Sequence, residues 1–105
     1  MKHITYAEKS LLIGDEAADL LVEYAAAVAA EDTSDTVALH AFGADGQEVS
    51  ATFVLNSGTN LMAETVSGSM SEPDNTDAVR DLRRKHEELT RGQAPPGIRT
   101  EYFDL

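Results

Sequence analysis

The chain has 105 residues, no cysteine, 42% hydrophobic residues and a formal net charge of −11. That length suits one domain with a single modest core, and the apolar content argues against disorder throughout. Without cysteine there is no disulfide framework, zinc–thiolate site or thiol nucleophile, and so acidic a surface repels nucleic-acid backbones and anionic headgroups.

The charge is unevenly placed. No Lys or Arg lies between Ser10 and Val79, a stretch with thirteen acidic residues, and six of the eight basic residues follow from Arg80 to Arg99. The chain is an acidic body with one zwitterionic helix. Its start lacks the basic stretch and apolar run of a secretory leader. Segment 17–30 is short and carries Asp19 and Glu23, so it does not suit a bilayer span. The expected setting is cytoplasmic, with no membrane and no direct nucleic-acid contact.

His3 to Tyr6 has strand character, and Ser10 to Ile13 is a second short apolar run. A turn through Ala7, Glu8 and Lys9 would make a small hairpin. Gly14 breaks the run, and Asp15 is a candidate N-cap. From there to Ala30 the pattern is helical, with Ala17, Leu21, Tyr24 and Val28 on one face and Leu20 and Ala25 beside it. Glu31 to Asp35 is a polar linker.

Thr36 to Phe42 and Gln47 to Leu55 alternate as strands do. The Asp45-Gly46 dipeptide between them signals a hairpin. A two-residue loop pairs Phe42 with Val49, His40 with Ala51 and Ala38 with Phe53. A four-residue loop keeps the same parity. Ala38, His40, Phe42, Val49, Ala51, Phe53 and Leu55 are then expected against the first helix. A turn at Asn56–Asn60 leads to a third meander strand, Leu61 to Val66, with Met62, Glu64 and Val66 beside Val54, Thr52 and Ser50. The opposite face would carry Val37, Leu39, Val54, Met62 and Val66, too much apolar surface to leave bare. A second helix or another subunit should cover it.

Ser67 to Asn75 is a connector by composition. Asp74, Asn75 or Thr76 caps a helix that runs to about Arg91, with Val79, Leu82, His86 and Leu89 along its seam. Asp81–Lys85 and Glu87–Arg91 are favourable i,i+4 pairs. Gly92 suits the residue after the helix, and Pro95-Pro96 prevents continuation. The expected architecture is α+β: a three-stranded antiparallel meander packed with two helices in the order β(β)αβββα, which a short N-terminal hairpin can widen. Residues 1–91 form the domain, and 92–105 form a tail, docked or flexible.

Chemistry-bearing patterns are sparse. Gly14 sits where a phosphate cradle would, but no glycine-rich run or Lys-Ser/Thr follows, and Asp15, Glu16 and Asp19 repel an anion. His3, His40 and His86 form no two-histidine helical metal motif, and Asp45 to Glu48 lacks the ligand density of a calcium loop. Gly68-Ser69-Met70-Ser71 resembles a nucleophile elbow only superficially. The sequence therefore assigns no catalytic, cofactor or metal residue, and an enzyme is not the favoured reading. His40 is expected as a hydrogen-bonded core residue. Arg83-Arg84-Lys85, interleaved with Asp81, Glu87 and Glu88, reads as a salt-bridged helix face that could cross onto the acidic body.

Three functions remain. The first is an interaction or regulatory module that forms a homodimer through Val37, Leu39, Val54, Met62, Val66, Val79, Leu82, His86 and Leu89, or meets a basic protein. The second is a small-molecule-binding protein or small enzyme with a pocket near His40 and Tyr24. The third is an acidic nucleic-acid mimic, with Asp15, Asp19 and Glu23 in line along the first helix.

Overall fold

The structure, a computed structural model, describes residues 1–68 and 70–91. In chain order it has β1 (Lys2–Tyr6), β2 (Lys9–Ile13), α1 (Asp15–Ala30), β3 (Asp35–Phe42), β4 (Glu48–Leu55), β5 (Leu61–Thr65) and α2 (Thr76–Thr90). The expected α+β class and element order hold. The expectations for Gly92, Pro95-Pro96 and the 92–105 tail lie outside the described residues.

The five strands form one antiparallel sheet in the order β4-β3-β2-β1-β5. The N-terminal hairpin lies in the middle of that sheet. β2 meets β3 at Leu12↔Phe42, and β1 pairs with β5 from Lys2↔Thr65 to Tyr6↔Leu61. The expected pairing of β5 with β4 is therefore corrected: Met62 and Glu64 lie opposite Thr5 and His3. β1 pairs with β2 on one side, and its other edge takes β5 along its whole length. In the loop after β4 the Thr59 N–H bonds the Asn56 carbonyl at 3.1 Å, the Asn56 N–H bonds the Thr59 hydroxyl at 2.8 Å, and Asn56 Oδ1 accepts the Gly58 N–H at 2.7 Å.

The β3–β4 hairpin forms where Asp45-Gly46 marks it, with a different turn. Gly46 has φ +81, its N–H bonds the Gly43 carbonyl at 3.0 Å, and the Gly43 N–H bonds the Gln47 carbonyl at 2.9 Å. This is a three-residue loop with a left-handed glycine and a bulge. An odd loop moves the pairing by one residue, to Val37↔Phe53, Leu39↔Ala51 and Ala41↔Val49. A one-residue slip turns a strand over. β4 keeps Ala51, Phe53 and Leu55 inward as expected. β3 presents Val37, Leu39 and Ala41 to the core and leaves Ala38 and His40 exposed.

α1 buries the expected face, Ala17, Leu20, Leu21, Tyr24 and Val28, against Ile4, Ile13, Leu39 and Leu55. Its small residues Ala17, Ala18 and Ala27 are buried too, which lets the backbone lie close to its neighbours. α2 packs along α1 and adds Leu82 to the same core, with Val79 and Leu89 packed against it. Its cations do cross onto the acidic body. Arg83 pairs with Glu16, and Lys85 Nζ lies 3.4 Å from Asp35. Because Lys85 turns to Asp35, the expected Asp81–Lys85 pair does not form. Arg84 instead bridges Asp81 at 3.9 Å and Glu88 at 3.1 Å. Among the described residues no helix is long and apolar enough to cross a membrane.

Candidate binding groove

The groove begins where β2 ends. Past Leu12 the chain swings through Gly14 into α1, while β3 runs back to Asp35. Among the described residues, Thr36–His40 therefore has β4 on one side and no strand on the other.

In an antiparallel pair, alternate residues aim both backbone groups away from their partner strand. His40 is one of these outward residues. Its N–H donates to Asn75 Oδ1 at 2.7 Å, and its carbonyl accepts from Asn75 Nδ2 at 2.8 Å. By the same alternation Ala38 and Thr36 also face outward. The Thr36 N–H is taken by Asp35 Oδ1 at 2.7 Å. Among the described residues no group meets the N–H or carbonyl of Ala38.

Across from this edge stands the start of α2. Asn75 holds the N-cap position, but its side chain turns to β3 instead of capping the helix. Asp74 compensates by accepting from the Thr76 N–H at 3.0 Å and the Thr76 hydroxyl at 2.7 Å. Those two bonds, the backbone one first, hold the Asp74 carboxyl below the usual range. Between β3 and α2 lies an open cavity of about 760 Å³. Thr36, Ala38 and His40 line one wall, Asp74, Asp77 and Asp81 the other, with Leu82 and Lys85 completing it.

A three-membered lock stands beside the groove. Tyr24 Oη donates to Asp35 Oδ2 at 2.6 Å, and the Lys85 ammonium approaches the same oxygen. Burial, then the hydrogen bond to the carboxylate, pushes the Tyr24 phenol up to about 12. Burial opposes ionisation of Asp35, but the bonds from Tyr24, the Thr36 N–H and Lys85 outweigh it and lower its pKa. The lock ties α1, β3 and α2 together.

The structure does not bring His40 and Tyr24 into one pocket. Tyr24 is 5% exposed within the core. His40 lies on the outer face, its side chain 53% exposed and Nδ1 4.0 Å from Glu48 Oε2, so the expected core histidine is corrected as well. The bulged hairpin is the cause, because it turned β3 over. Among the expected interface residues, Val37, Leu39 and Leu82 belong to the chain's own core, while Val79 and Leu89 pack against it. His86 and Val66 are half-buried. Val54 and Met62 are exposed, on strands at opposite edges of the sheet.

A second open cleft, about 660 Å³, lies over Ile4, Leu11, Val49 and Ala51. Tyr6 crosses it, with its ring edge 5.8 Å from Phe53 and its hydroxyl donating to the Val54 carbonyl at 2.8 Å. Glu72 fills the anion position at the start of α1, where its carboxylate accepts the Asp15 N–H at 3.3 Å. Among the described residues no three His, Asp or Glu side chains converge as metal ligands would.

Sequence reasoning missed the free edge and the role of Asn75. An asparagine at a helix start reads as a cap, and nothing in its neighbours signals a bond to a strand 35 residues away. Compared with known proteins, the chain matches no family model, no curated protein and no solved structure.

Proposed function

We propose that this protein is a small interaction module whose partner is a basic segment of another protein. One observation carries the reading: an open groove in which strand backbone without a partner among the described residues faces Asp74, Asp77 and Asp81, the last two also paired with Arg80 and Arg84 on the exposed side of their helix. Proteins present such acid-lined clefts to cationic groups, and charge of this kind speeds and selects encounters more than it tightens them.

Two other readings find less support. A nucleic-acid mimic would rest on the line of acids along α1 alone, where Asp15 pairs with the Met1 amino group at 3.2 Å and Asp19 with Lys2, and among the described residues no cleft accompanies that line. A homodimer built on Val37, Leu39 and Leu82 would draw on residues that the core already uses.

The test is binding of a decapeptide that alternates valine with lysine, followed by fluorescence anisotropy. A decapeptide alternating valine with glutamate is the control. Binding that falls with added salt and in the Asp77→Asn/Asp81→Asn protein supports the reading. Equal binding of both peptides, or no loss in the double variant, sinks it.

A further inference from the structure

We infer that the basic segment binds by strand addition, extending the sheet at the free edge of β3 beside Ala38. The inference rests on the interaction role just proposed and specifies its mode.

An exposed strand edge is a template for another chain, because its N–H and carbonyl groups are spaced to receive one. Most of this edge is already closed. β2 covers Phe42, Asn75 covers His40, and Asp35 takes the Thr36 N–H. Among the described residues, what remains is the N–H and carbonyl of Ala38 and the carbonyl of Thr36, on neighbouring outward positions. An added strand therefore has one place to bond, and Asn75 fixes where the pairing stops.

The chemistry of the occupant follows from the opposite wall. A strand beside β3 turns alternate side chains to its two faces. Those nearest α2 meet Asp77 and Asp81, whose present partners Arg80 and Arg84 are held only by exposed i,i+3 pairs, so lysine or arginine at alternate positions can replace them on this surface. The bonding stretch is short, so affinity will be modest and salt-sensitive.

The experiment uses the full chain and the valine–lysine decapeptide. Ala38→Pro removes the outward N–H without touching the bonds to β4, a position where an edge strand tolerates proline. Binding should weaken about tenfold, the equivalent of one or two lost hydrogen bonds. A peptide N-methylated at alternate amides should weaken similarly on the unaltered protein, a readout that does not depend on how Ala38→Pro folds. Full binding by the N-methylated peptide overturns strand addition. If Asp77→Asn/Asp81→Asn then still reduces binding, the interaction role survives without it. If no basic peptide binds, both fall. A dimer in the unaltered protein that becomes monomeric in Ala38→Pro would make a second copy the occupant and overturn the inference.

Discussion

Asn75 holds the backbone of His40 as a neighbouring strand would, accepting its N–H at 2.7 Å and donating to its carbonyl at 2.8 Å. A primary amide carries a donor and an acceptor side by side, the pair that one edge residue of an antiparallel strand requires. Asn75 is 7% exposed, so these bonds are shielded from water. The residue thereby fixes the start of α2 to β3 and sets one end of the groove.

Asn75→Ala should therefore lower stability by about 2 kcal/mol, two hydrogen bonds at ordinary worth. Asn75→Asp keeps the acceptor but sets a carboxylate against the His40 carbonyl. Its loss should be larger at pH 7 than at pH 4, where a protonated carboxyl can donate. Urea unfolding at both pH values measures this. An Asp variant as stable as the parent at pH 7 would show that the carbonyl bond contributes nothing.

Tyr24→Phe should cost about 1.5–3 kcal/mol at neutral pH, the range for a hydrogen bond to a charged partner. The alkaline dependence has a definite sign. The folded phenol titrates near 12, above the ordinary 10. Its contribution is complete below pH 10 and is lost as pH rises toward 12. Asp35, whose folded pKa is lowered, contributes above the ordinary carboxylate range and loses that contribution as pH falls. The gap in stability between the parent and Tyr24→Phe should thus shrink between pH 10 and 12. A constant gap would mean that the Tyr24 hydroxyl is not coupled to folding.

Gly14 meets Glu72 closely. A Cβ at Gly14 would stand 2.8 Å from Glu72 Oε1, although φ −57 and ψ 152 suit any residue. Gly14→Ala should therefore act by displacing the carboxylate from the Asp15 N–H, at a cost of about 0.5–1 kcal/mol, typical of a lost helix cap. Glu72→Ala should cost as much, and the double variant little more, since both remove one contact. Additive losses in chemical unfolding would place the effect of Gly14 elsewhere.

Helix boundaries and the core of α1 were legible because each rests on local pattern. Ala17, Leu21, Tyr24 and Val28 declare a face at a spacing that later packing did not alter. Strand faces were not equally legible. Ala38, His40 and Phe42 alternate as well as Val37, Leu39 and Ala41 do, and the choice between them rests on one residue of loop length at Ala44–Gly46. Strand order was less accessible still. The apolar alternation of β1 serves a central strand as well as an edge strand, and only the tertiary pairing with β5 decides. The free edge of β3 follows from that order, so the sequence held no sign of it.

Two non-glycine residues adopt left-handed backbone, Ala7 at φ 56 and Asp32 at φ 52. Ala7 is the first residue of the two-residue β1–β2 loop, where a type II′ turn favours glycine. Asp32 follows the last turn of α1. Its N–H bonds the Ala29 carbonyl at 3.1 Å, and the Thr33 N–H bonds the Val28 carbonyl at 3.1 Å. That is the Schellman ending, whose left-handed position is usually glycine. A Cβ is disfavoured at both sites, whereas a flexible glycine raises the entropy of the unfolded chain, so the two effects oppose each other. The steric relief should be larger at Ala7, because aspartate tolerates this region better than alanine does. Ala7→Gly should therefore stabilise by about 1 kcal/mol and Asp32→Gly by about half as much. The sites belong to separate turns, so their gains should add. Thermal unfolding of the two single variants and the double variant decides it. A loss of stability in Ala7→Gly would mean that its left-handed backbone carries no strain.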